Sequence, residues 1–216
     1  MIRAALLSAF ATAVLATAPA HAQYSTPIPD ETPATEYIYA EAPTDHVIGS
    51  VDAPHTMILY ASNVCPACGH WFANHWPIVK TELVETGRLR LVFRPMPTEP
   101  VQLSLTGFLM AECAPKGEYI TVIEDQFARQ TTILGMVQNR ISPKPEYDAI
   151  AMGAGLQSDE AIQACLSDPD MMAAVRQKAD WASAADIHAV PSFIFDGEVM
   201  DGDHNADAIR SWMDRR

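Results

Sequence analysis

Cys65-Pro66-Ala67-Cys68 is the segment of this chain whose residue types and spacing are best fitted to chemistry. Two thiols three residues apart on one helical turn can join as a disulfide. So small a ring restrains little unfolded-chain entropy, which favours reversible redox use over a structural staple. The apolar run from Met57 to Ala61 suits a strand buried on both faces, and Pro66 suits the first turn of a helix. In that context Cys65 sits at a helix N-terminus, where unpaired N–H groups and the helix dipole stabilise an anion. Cys65 is therefore expected to be the attacking and attacked sulfur, and Cys68, one turn further in and shielded from solvent, its resolving partner. Two other readings use the same residues. Structural zinc needs a second ligand pair, which Cys113 and Cys165 do not supply. Copper capture by Cys65 and Cys68 with His70 or His75 fits soft-ligand chemistry. The redox reading needs no metal and no organic cofactor.

The elements that must position this pair can be read along the chain. A helix is expected from Pro66 to about Thr86, kinked at Pro77 and ended by Gly87. Leu89, Leu91 and Phe93 alternate on one face of a second strand, so that strand, helix and strand form a β-α-β unit with a parallel pair. From about Pro100 to Ile187 helical periodicity dominates, with helices expected over 101–113, 118–130, 158–166 and 169–185 and N-caps at Ser158 and Asp168. Asp196-Gly197 between two short apolar runs is a strong hairpin signal. A final helix is expected from Ala206 to Met213, with Ile209, Trp212 and Met213 as its apolar stripe.

Composition sets the boundaries of function. The chain has 216 residues and a formal net charge of −13, from 14 Lys plus Arg and 27 Asp plus Glu. A surface this negative repels phosphate backbones, and no basic run offsets it, so nucleic-acid binding is not expected. Arg3, the apolar run from Ala4 to Ala16 and Ala20-His21-Ala22 have the layout of a secretory signal, with cleavage expected after Ala22. Residues 23–45 carry Pro27, Pro29, Pro33 and Pro43 with acids and no bases, and read as a solvated acidic leader that Tyr37 and Tyr39 could dock. The folded region is expected to begin at residue 46, with a first half over 46–99, a helical insertion over 100–187 and a second half over 188–216. An exported, oxidising address makes disulfides among the four cysteines the default, with three possible connectivities.

The strand-CPAC-helix order, the later Ala189-Val190-Pro191-Ser192-Phe193 before a hairpin and the helical block between the two halves resemble the DsbA family of periplasmic thiol-disulfide oxidoreductases. The resemblance covers about Asp45 to Arg216. It implies an α/β thioredoxin-like fold with a helical domain inserted between a β-α-β half and a C-terminal β-hairpin-α half. It also implies that Pro191 is cis beside Cys65 and Cys68, and that Val190, with Pro66 and Ala67 of the motif, meets an extended substrate segment through the backbone. Cys113 and Cys165 lie on expected helices of the insertion, and several family members resemble an arrangement in which such a pair is bridged. Because neither has a C-x-x-C partner, that bridge is expected to be structural, contributing about 4 kcal/mol if unstrained.

Two departures from the family pattern bear on function. Where many family oxidases place His before the second cysteine, this chain has Ala67, which removes a source of thiolate stabilisation and implies a less oxidising disulfide. Where relatives place an acid six residues before the first cysteine, it has Leu59, so the Cys68 proton lacks that acceptor. His70 and His188 are candidate replacements, though each reads more readily as a local surface histidine. The function expected is disulfide exchange with unfolded or thiol-bearing secreted proteins in the periplasm, as an oxidase reset by a membrane redox partner. A reductase or isomerase kept reduced by a membrane partner uses the same residues. From other classes, a copper chaperone would use the cysteines as ligands, and a holdase would use the apolar surface around them. The short leader leaves no room for an added dimerisation domain, so a monomer is expected.

Overall fold

The structure is a computed structural model that describes residues 36–215. The signal peptide expected over 1–22, and residues 23–35 of the expected leader, lie outside the described residues. Strands β1 (His46–Ile48), β2 (His55–Ala61), β3 (Leu89–Pro95), β4 (Ser192–Phe195) and β5 (Glu198–Val199) form one sheet in the order β1-β3-β2-β4-β5. β2 and β3 are parallel, with Met57 opposite Leu91 and Leu59 opposite Phe93, and the other pairs are antiparallel. Between β2 and β3 run α1 (Pro66–Asn74), α2 (Trp76–Val79) and a π-helical turn (Lys80–Val84). Five helices, α3 (Val101–Glu112), α4 (Tyr119–Gln138), α5 (Lys144–Gly153), α6 (Asp159–Leu166) and α7 (Pro169–Ala184), separate β3 from β4, and α8 (Ala206–Met213) follows the hairpin. This is the thioredoxin-like α/β arrangement with a helical insertion.

Alternation along the strands divides the core. Met57, Leu59, Leu91, Phe93, Phe193 and Phe195 face α1, α3, α4 and α8. Ile58, Tyr60, Val92 and Ile194 point the other way, against Trp181 and Ala182 of α7 and against Ile38 and Ala42. Strands buried on both faces carry the continuous apolar runs seen in the sequence. Ring stacking of Phe72 on Phe127, 3.9 Å between centroids, ties α1 to α4 of the insertion.

Three local outcomes differ from the sequence-based expectation or refine it. The single kinked helix is divided: α1 stops at Asn74 and α2 starts at Trp76, because the Pro77 ring cannot coexist with the Ala73 carbonyl in an unbroken helix. A helix over Lys144–Gly153 forms where Pro143 and Pro145 had hidden it, Pro145 falling in the first turn, where no N–H is required. The leader expected to be solvated through residue 45 is built into the fold from Ile38 onward. Ile38 and Ala42 are buried, and Asp45 accepts from Arg94 Nη2 at 2.8 Å with both side chains fully buried. Arg94 also donates to the carbonyls of Ile38 and Ala40 and to the Tyr60 hydroxyl, and its guanidinium lies 4.5 Å from the Trp181 ring centre. Lys178 Nζ completes the cluster 3.6 Å from Asp45.

At Asp196-Gly197 both residues have positive φ, 47° and 86°, the conformation a two-residue hairpin of matching twist requires. The Asp196 carboxylate accepts from the Thr56 N–H at 2.8 Å and pairs with His55, locking the turn onto β2. Gly197 is thus part of the device that fixes the register of β4, whose first residues adjoin the candidate site.

Candidate active site

Cys65 is the N-cap of α1, in extended conformation with φ −80° and ψ 119°, and Pro66 opens the helix. β2 ends at Ala61 and α1 opens at Pro66, so the Cys65 sulfur is carried at the helix end rather than inside it. Its thiol is half-buried and donates to the Val190 carbonyl at 3.4 Å. The Val190–Pro191 bond is cis, as is Glu99–Pro100 ahead of α3. Cys68, one turn on, is fully buried, and both sulfurs are free thiols. The Ser62 N–H donates to Cys68 Sγ at 3.5 Å. Burial pushes the Cys68 thiol well above the ordinary thiol range, against the smaller opposing effect of that N–H, and the neighbouring Cys65 sulfur pushes the same way as burial.

Pro66 and Ala67 are exposed, and Val190 and Pro191 are half-buried, with the Val190 carbonyl turned to Cys65. A shallow cleft beside the pair is lined by Ala67, His70, Trp71, Pro191 and His204 among others. Trp71 Nε1 donates to the His204 carbonyl at 2.6 Å, and the His204 ring stacks on Phe193 at 4.2 Å, so the cleft wall is fixed from both sides. His70 is exposed, and His188 is exposed and paired with Asp186 at 2.8 Å. Leu59 is buried in the core opposite Phe93 and Phe193. Cys113 and Cys165 are joined to each other, Cα atoms 6.1 Å apart, linking the end of α3 to α6. Among the described residues, no group of three or more His, Cys, Asp and Glu side chains is placed to hold a metal ion.

Sequence reasoning missed what lies beneath the pair. Gln130 of α4 donates both amide protons to the chain between β2 and α1, to the Asn63 and Cys65 carbonyls, each at 2.9 Å. Asn63 donates to Gln126 Oε1 at 2.8 Å and to the Ser104 carbonyl at 3.1 Å, and accepts from the Ser104 hydroxyl at 2.8 Å. Ser62 shares a hydrogen bond with Ser104 at 3.2 Å and accepts from Thr98 at 2.8 Å. Gln126 closes the set by donating to the Gly107 carbonyl at 2.7 Å. A Cβ on Gly69 would overlap Gln130 Oε1, and one on Gly107 would overlap Asn63 Nδ2. Glycine in the middle of a helix costs about 1 kcal/mol against alanine. Two mid-helix glycines, with Gln126 and Gln130 one turn apart on the apolar face of α4, were the available signal.

A family model described as thioredoxin matches residues 41–215. The chain belongs to the thioredoxin family. Among solved structures, this thioredoxin-family chain is similar to alpha-DsbA1 of Wolbachia pipientis, with TM-score 0.67 and 22% identity over 81% of this chain and 92% of that one. It is similar to a protein-disulfide isomerase from Novosphingobium aromaticivorans, with TM-score 0.66 and 20% identity over 80% and 97% of the two chains. A periplasmic thioredoxin-like protein from Salmonella enterica serovar Typhimurium gives TM-score 0.62 and 14% identity over 84% and 94%. The DsbA-type fold expected from the CPAC and Val190-Pro191 segments is therefore present. Among curated proteins, the Na(+)/H(+) antiporter NhaA 3 of Salinispora tropica is 25% identical over 166 residues, 76% of this chain and 24% of the antiporter. This thioredoxin-family chain thus spans about a quarter of that relative. Among the described residues, no helix is long and apolar enough to cross a membrane.

Proposed function

We propose that the protein is a thiol-disulfide oxidoreductase of the periplasm that oxidises secreted proteins through Cys65 and Cys68. The observation that carries the reading is the pairing of a half-buried sulfur at a helix N-terminus, 3.4 Å from the Val190 carbonyl, with a fully buried second thiol one turn away. In the oxidised form, a substrate thiolate attacks Cys65 Sγ. The Cys65–Cys68 bond breaks, and its electron pair leaves on Cys68 Sγ, which takes up a proton. A second substrate thiolate attacks the substrate sulfur of the mixed disulfide and expels the Cys65 thiolate. The substrate gains a disulfide, the protein holds two electrons as a dithiol, and a membrane redox partner must remove them. Val190, Pro191, Pro66 and Ala67 receive the substrate segment beside Cys65.

The buried Cys68 bears on the lifetime of the mixed disulfide. Held protonated by its surroundings, it is a poor nucleophile toward a mixed disulfide on Cys65, so the second substrate thiol has time to complete the exchange. The same property makes Cys68 a slower leaving group when a substrate thiolate attacks the Cys65–Cys68 bond, so both directions are slowed and the reduction potential decides between them. The periplasmic address is supported by the signal-like residues 1–22 and by the periplasmic relative from Salmonella.

The test uses Cys68→Ser and Cys65→Ser with a reduced, unfolded protein bearing two cysteines. Cys68→Ser should accumulate a mixed disulfide at Cys65, and Cys65→Ser should form none; normal turnover in Cys65→Ser overturns the assignment. Equilibration in glutathione buffers, with Cys113 and Cys165 mapped separately, sets the direction. A potential near about −120 mV marks an oxidase, and one toward about −270 mV selects the reductase or isomerase reading.

A further inference from the structure

We propose that Gln130 is a positioning residue for the redox pair: through its two amide protons the inserted helix α4 holds the Asn63 and Cys65 carbonyls and so sets the Cys65–Cys68 equilibrium. The inference rests on the redox reading above and goes beyond it by assigning control of the pair to the insertion. The Cys65 carbonyl accepts twice, from the Gly69 N–H at 3.0 Å, which is the first hydrogen bond of α1, and from Gln130 Nε2 at 2.9 Å. The Asn63 carbonyl, two residues earlier, accepts the other Gln130 proton at 2.9 Å. Two anchors on one short segment fix the rotation of the peptide that follows Cys65. That rotation sets the direction in which the Cys65 side chain leaves the N-terminus of α1, and so where its sulfur stands relative to the helix end and the Val190 carbonyl.

Three features argue for a dedicated contact rather than incidental packing. Gln130 is buried, and its donors reach across from an element 65 and 67 residues away in sequence. Gly69 lacks the Cβ that would collide with Gln130 Oε1, so α1 gives up the helix-favouring alanine at the position facing the amide. Asn63, beside the clamped carbonyls, is in turn held by Gln126 and Ser104, which leaves the segment little freedom to relax. The chemistry of the contact sets its sign. A neutral amide directs its positive end at the Cys65 peptide, favouring the thiolate of the dithiol state over the uncharged disulfide. Removing that donor makes the disulfide more stable and the protein less oxidising.

The decisive variants are Gln130→Met, which keeps the volume and removes both donors, and Gln130→Glu, which removes them and adds a negative charge. In glutathione buffers Gln130→Met should move the Cys65–Cys68 equilibrium constant about threefold to tenfold toward the disulfide, the scale of one or two neutral hydrogen bonds. Gln130→Glu should move it further the same way, and alkylation of Cys65 should slow in the same order. Gly69→Ala approaches the contact from the other side and should reproduce the shift with Gln130 intact, and the double variant Gly69→Ala/Gln130→Met should add nothing to the larger single effect. A purely structural Gln130 would lower unfolding stability and leave the equilibrium where it was. Wild-type protein that titrates normally, beside Gln130→Met or Gly69→Ala titrating at the same midpoint, overturns the proposal. Wild-type protein with no thiol-disulfide equilibrium overturns the redox reading itself.

Discussion

At the C-terminal end of β2, buried Ser62, Asn63, Ser104, Gln126 and Gln130 and half-buried Thr98 form a network without a formal charge. On the opposite face of the sheet, Arg94, Asp45 and Lys178 meet as three charged groups at 0–1% side-chain exposure, closed over by Trp181. Both clusters tie an irregular segment to the sheet, the first to shape the redox turn and the second to seat residues 38–45. What differs is the tolerance for charge. A sulfur that must pass between thiol, thiolate and disulfide is biased by any nearby charge. Amides and hydroxyls can fix its backbone with a weaker field. A segment with few apolar residues gains more from charge-assisted bonds, which are roughly twice as strong as neutral ones.

Asp45→Ala is the strongest way to break this comparison. It leaves Arg94 and Lys178 buried without their carboxylate, and a loss of about 3–5 kcal/mol in urea unfolding is expected. The glutathione equilibrium of Cys65–Cys68 should stay within twofold of wild type; a large change would mean that the two clusters are coupled. Gln126→Leu probes the neutral side. It leaves one Asn63 amide proton and the Gly107 carbonyl without their partner, which should cost about 1–3 kcal/mol, and, unlike Asp45→Ala, it should also change the rate of mixed-disulfide formation.

The isolation of Cys68 can be sharpened by pH. Because burial holds this thiol above the ordinary range, its thiolate fraction should rise tenfold per pH unit through about 8.5 and beyond. Release of a preformed mixed disulfide by Cys68, followed by stopped flow, should keep accelerating across that range. A plateau below it would show that Cys68 ionises like a free thiol. The smallest effect is expected for Thr98→Val, which removes one donor to Ser62 at the half-buried edge of the network and should cost about 1 kcal/mol.

How much was legible follows the range of the interactions. The β-α-β unit, the hairpin at Asp196-Gly197 and α8 announce themselves through local periodicity and turn chemistry, and the fold could be assembled from them. Of the residues singled out from motif and family likeness, Cys65 meets the Val190 carbonyl at 3.4 Å and Cys68 lies buried one turn further along α1. The residues that hold that site were not legible. Gln126 and Gln130 look like ordinary polar positions on α4 until Asn63 and Cys65 are placed against them from 63 to 67 residues away. The same holds for residues 36–45, whose Pro43 and three acids describe a solvated segment locally. Their partner Arg94 lies 49 residues from Asp45, beyond what composition or periodicity can report.

The strap that carries Asp45 has a consequence for biosynthesis. A chain delivered from its N-terminus presents residues 38–45 early, yet the partners that seat them come 49 residues later at Arg94 and, for Thr44, 134 residues later at Lys178. Whether it emerges from the ribosome or, at the proposed periplasmic address, on the far side of a membrane, the first of these segments to appear waits for α7 before all its partners are present. Until then the charges destined for the interior are still exchanging partners with water.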